Sequence, residues 1–127
     1  MTLVNPDDPN DTIESFDVAE VCPIGTHPAA IMAITPLTMD TRFGANQKLI
    51  EWTFKIAPAK GDKTYTETIL TSRERTPRSK LTKVLAAAGV ALGETAPPDA
   101  VIGKPVLVVV GEDDNGYPAI LEVVAPV

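Results

Sequence analysis

Apolar and polar residues alternate through Leu49-Ile50-Glu51-Trp52-Thr53-Phe54-Lys55-Ile56. Ile50, Trp52, Phe54 and Ile56 share one face, while Leu49, Glu51, Thr53 and Lys55 share the other. A period of two marks a strand with one buried side. Ala57 to Lys63 follows as a hairpin loop with turn chemistry at Gly61-Asp62. The next strand, Thr64 to Thr71, sets Tyr65, Glu67, Ile69 and Thr71 against Thr66, Thr68 and Leu70, and is rich in β-branched residues. Its polar side is expected toward solvent beside Lys55 and Lys63, offering hydroxyls and the Tyr65 phenol.

Other elements follow from the same reading. Ala29-Ala30-Ile31-Met32-Ala33-Ile34 is almost continuously apolar and predicts a buried first strand over about 28–39, with a bulge or edge position at Pro36. Asp40 to Lys48 reads as a polar loop pivoting on Gly44, in which Phe43 either tucks onto the fold or stacks on a ligand. After Thr71 the period changes. Thr76 is suited to N-cap a helix, Pro77 to open it and Gly89 to end it, with Leu81, Val84, Leu85 and Ala88 at helical spacing. Residues 90–103 read as a loop. Val106 to Val110 predicts a buried strand, Asn115-Gly116 a hairpin turn, and Ala119 to Val124 the closing strand.

Strand, strand, strand, helix, strand, strand is the order of an OB-fold. The expectation is therefore a mainly β, five-stranded Greek-key barrel with one α-helix between strands three and four, spanning residues 16–127 behind a flexible acidic arm at 1–15. In such a barrel the face of strands two and three, with loops 1–2 and 4–5, receives oligonucleotides.

Charge sharpens the picture because it is segregated. Residues 1–41 carry seven acids and no Lys or Arg; residues 42–84 hold ten of the eleven basic side chains against four acids. A partner feels the local patch rather than the net charge of −6. Arg78, Lys80 and Lys83 fall in the opening turns of the expected helix, where cations oppose its dipole and suit an anionic partner. The candidate nucleic-acid contacts are Arg42, Phe43 and Lys48 in loop 1–2, Lys55, Lys63 and Tyr65 on strands two and three, Arg73 and Arg75 beyond them, and Tyr117 in loop 4–5. Trp52 belongs to the apolar, inward face, yet its ring is the best base-stacker in the chain, so it is retained as a candidate. An aromatic content of 5% predicts modest affinity, cooperative assembly of copies or a different ligand.

Candidate chemistry is sparse. His27, the only histidine, has no companion at ligand spacing and reads as a turn residue; Cys22, the only cysteine, reads as a small buried hydrophobe. Glu112-Asp113-Asp114-Asn115-Gly116 lacks the spacing of a calcium loop. Without a nucleophile motif, a phosphate loop or a framed acid pair, the expectation is no enzyme, no catalytic residues, no metal and no cofactor. No apolar run approaches a membrane span, and the opening residues lack the features of a signal peptide.

Phe16-Asp17-Val18, Pro23 to Ala29, Leu49 to Ile56, Thr71-Ser72, Pro77 to Leu81 and Ile102 to Val110 together resemble small phage and prophage proteins regarded as OB-fold single-stranded DNA-binding proteins. The similarity spans roughly residues 16–126 and its motifs are mostly structural. It implies sequence-nonspecific binding of single-stranded DNA in replication or recombination, in the cytoplasm of a phage-infected or prophage-bearing cell. Homo-oligomers and replication or recombination proteins are the implied partners. One departure is the ending Val123-Val124-Ala125-Pro126-Val127, which is not the acidic tail by which many such proteins recruit partners. The rival expectation is a phage structural or assembly module that binds protein.

Overall fold

The computed structural model describes Leu3–Val4, Thr12–Ile13 and residues 21–126. The acidic arm expected over 1–15 lies outside these residues except for β1 (Leu3–Val4) and β2 (Thr12–Ile13), which pair antiparallel.

Five further strands form one antiparallel sheet: β3 (Gly25–Thr41), β4 (Gly44–Ile56), β5 (Tyr65–Ser72), β6 (Pro105–Glu112) and β7 (Pro118–Val124), in the order β5-β4-β3-β6-β7. The alternation of β4 is realised: Trp52, Phe54 and Ile56 are at most 2% exposed, and Lys55 faces solvent. On β3 the apolar run is broken by a register shift at Met32, which stands outside the ladder between Ile31 and Ala33. That shift lets both Ile31 and Ile34 turn inward, opposite Phe54 and Trp52. Val106, Val108 and Val110 of β6 complete the buried side.

The sheet is open, in contrast to the expected closed barrel. Its edge strands β5 and β7 approach one another without a ladder, and helix α1 (Lys80–Ala87) packs against both. Apolar contact from Leu81 and Val84, both buried, takes the place of strand pairing there. The cap of α1 is also shifted. Thr76-Pro77-Arg78-Ser79 makes a turn in which Ser79 N donates to the Thr76 carbonyl, and Ser79 Oγ then accepts from Thr82 N at 3.2 Å. Proline at the second turn position favours that turn and moves the cap from Thr76 to Ser79. Gly89 ends the helix as expected, at φ 93°, with Val90 N donating to the Leu85 carbonyl. A second helix, α2 (Pro98–Val101), interrupts the expected loop; it is a single turn opened by proline, and it buries Val101. No helix among the described residues is long and apolar enough to cross a membrane.

The hairpin of β3 and β4 outgrows its neighbours. Pairing with β6 stops at Ala30 and pairing with β5 begins at Leu49, while β3 and β4 stay paired out to Thr41 and Gly44. Residues read as a polar loop are thus the end of a two-stranded ribbon. Pro36 lies in it past the last β6 partner, so its missing N–H breaks no bond to β6.

Candidate nucleic-acid interface

At the ribbon tip Arg42 and Phe43 form a two-residue turn between Thr41 and Gly44. Gly44 has φ 145°, which a side chain would disfavour, and Asn46 adopts a left-handed φ of 53°. Polar side chains hold this shape: Asp40 Oδ1 accepts from Asn46 N at 2.9 Å, and Thr41 Oγ1 from Phe43 N at 3.1 Å. Phe43 is 78% exposed, with the Arg42 guanidinium 4.8 Å from its ring centroid. It does not tuck onto the fold. Lys48, opposite Thr38, adds an exposed cation to the ribbon.

At the ribbon root the arginines behave differently. Arg73 donates through Nε to the Leu49 carbonyl (3.2 Å) and through Nη2 to the Leu37 carbonyl (3.3 Å). Leu37 and Leu49 face each other in the ladder, so one guanidinium clamps the point where β4 parts from β5. Arg75 donates to the carbonyls of Glu94 and Ala91, tying the segment after α1 to the end of β5. Its Nε is buried without a partner, beside an apolar cavity of about 240 Å³ under Trp52, Ile50 and Leu85. Both arginines, taken from the sequence as DNA contacts, are anchors of the main chain.

Two aromatic candidates are also placed differently. Trp52 is 2% exposed, and its indole Nε1 donates to the buried Thr71 hydroxyl at 2.9 Å, so it packs in the core. Tyr65 is half-buried against the core, because β5 turns Tyr65, Glu67, Ile69 and Thr71 inward. The exposed side of β5 is Thr66, Thr68 and Leu70, which pair with Lys55, Thr53 and Glu51 of β4. Lys55 thus stands on a hydroxyl-rich outer face near exposed Lys63, while Leu70, Leu49 and Leu37 make that face more apolar toward the ribbon. Tyr117, 67% exposed, sits in the β6–β7 turn, where Asp113 Oδ1 accepts its main-chain N–H.

The ladder therefore gathers Arg42, Phe43 and Lys48 at one end and Lys55 and Lys63 toward the other. About 40 Å of extended chain lies between Gly44 and Ile56. Tyr117 is at the far end as well, because the β6–β7 turn pairs near Gly25.

Near the start of β3, Cys22 is buried, and burial with the neighbouring Glu67 carboxylate pushes its thiol pKa up. Partial burial raises the Glu67 pKa as well. His27 is bonded to the Pro23 carbonyl at 2.7 Å. Among the described residues no group of three potential ligands could hold a metal ion. The sequence offered no signal for the arginine anchors, since a carbonyl partner leaves no mark on residue type. Comparison of the chain with protein-family models, with curated proteins and with solved structures returns no match.

Proposed function

We propose that this chain binds single-stranded DNA without sequence preference, as a binder rather than an enzyme, in phage-type replication or recombination inside a bacterial cell. The observation that carries the reading is the ribbon tip, where an exposed Phe43 with Arg42 over its ring offers a stacking platform beside a cation. Ring stacking contributes about 1–3 kcal/mol per base, and phosphates add salt-dependent attraction. The strand order supports it too. Five antiparallel strands with a helix between the third and the fourth keep the element order of an OB-fold, and α1 packs against the edge strands β5 and β7. In that frame the ribbon is loop 1–2, and the outer face of β4 and β5 is the ligand surface, with Lys55 and its flanking threonines.

A titration with fluorescent oligo-dT at two salt concentrations tests this. Three phosphate contacts, from Arg42, Lys48 and Lys55, predict a log–log salt slope of about −2. Binding that ignores salt would remove the proposal. The rival, a phage assembly module that binds protein, is favoured by Leu37, Leu49 and Leu70 on the same outer face; it predicts no oligonucleotide binding at either salt.

A further inference from the structure

A second surface is built by α1 and β7 and does not rest on the single-strand reading. Between the start of α1 and β7 runs an open groove of about 520 Å³. Arg78, Lys80 and Lys83 line one rim. All three are exposed, and none forms an ion pair or a side-chain hydrogen bond among the described residues. No acid sits in the first turn of α1 to balance them, so the positive helix end adds to their field. The floor is apolar: Val84, Ile120 and Val123 are buried, and Leu121, 58% exposed, lines the groove with them. Four consecutive residues of β7, Ile120 to Val123, border the groove, and β7 is the last strand of the sheet. Among the described residues β7 pairs only with β6, and α1 and β5 approach its other edge.

We infer that this groove receives an extended, acidic segment of a partner protein, which lies between the start of α1 and β7. Its carboxylates meet Arg78, Lys80 and Lys83, and its alternate apolar side chains rest on the valine and isoleucine floor. An extended backbone turns every second side chain the same way, so alternate residues can face the floor while the others face the cations. Two features favour a peptide over a nucleic acid here. Among the described residues the groove has no aromatic ring for a base to stack on, and its floor is aliphatic.

The test uses the full chain and a short fluorescein-labelled peptide that alternates aspartate with leucine, read by anisotropy. Saturable binding is expected, lost at least ten-fold in Lys80→Glu/Lys83→Glu. The same variant should gain binding of the matching lysine–leucine peptide. Because both lysines are exposed, the melting temperature should hold; Leu121→Asp, also at an exposed position, gives an independent loss if the floor matters. Equal binding of an aspartate–serine peptide would overturn the role of the floor. Displacement of the peptide by oligo-dT would overturn the inference in favour of a polynucleotide path. Tighter binding by a peptide of this chain's own residues 1–20, which carry six acids, would replace the partner with a copy of the chain.

Discussion

The root and the tip of the β3–β4 ribbon draw on the same basic stretch of sequence and use it in opposite ways. At the root, Arg73 and Arg75 point their donors at main-chain carbonyls and fix where strands and loops part company. At the tip, Arg42 lies over an exposed ring, and Lys48 reaches into solvent. The planar five-donor fork of arginine can bridge two carbonyls at once, whereas a lysine ammonium is a point charge on a flexible stem. Positive charge along a sequence therefore mixes two populations, one that builds the fold and one free to meet a partner, and geometry separates them.

The largest expected effect lies in the core just inside the root. Trp52→Ala should cost about 3–5 kcal/mol in urea unfolding, since it empties a buried site and orphans the Thr71 hydroxyl. Arg75→Ala comes next, at about 1–3 kcal/mol, because two carbonyls lose a charged donor while one buried Nε without a partner is relieved. By contrast, Lys48→Ala and Lys55→Ala should each stay within about 0.5 kcal/mol. If Arg75→Ala proved as silent as the lysines, the distinction between anchors and free cations would fall. Charge reversal of Arg73 and Arg75 should thus lower stability as well as any binding, and cannot by itself locate a binding surface.

A smaller effect concerns pH. Burial raises the Glu67 pKa above its unfolded value, so the folded state holds that proton more tightly. Stability from this group is complete below the unfolded pKa and declines as pH rises through the folded one. Glu67→Gln should flatten this decline, with its gain confined to the alkaline side of the window. An equal gain at low pH would sink that explanation.

Much of the sheet was readable from residue order. The alternation of Ile50, Trp52, Phe54 and Ile56 names the buried face of β4, and Gly89 marks the helix end. The cap position is ambiguous in the sequence because Thr76 and Ser79 are both good capping residues and only the Pro77 turn decides between them. The ribbon went unread because Ala45-Asn46-Gln47-Lys48 has no apolar alternation; no core lies beside it, so neither face needs to be apolar. The inward turn of Tyr65 is not legible in the sequence, since a strand face that mixes Tyr, Glu, Ile and Thr does not declare its direction. The candidate site suffered most, because Arg73 and Arg75 differ from Arg42 only in what stands opposite them in space.

On the proposed function, single-stranded DNA meets the ribbon at its tip and not at its root. Oligo-dT affinity of the parent chain beside Phe43→Ala, measured at low and moderate salt, tests it most directly. A loss of roughly ten-fold in Phe43→Ala is expected at both salts, as one stacked base disappears, with the melting temperature unchanged. An affinity untouched by that substitution, or no measurable binding by the parent chain, would contradict it.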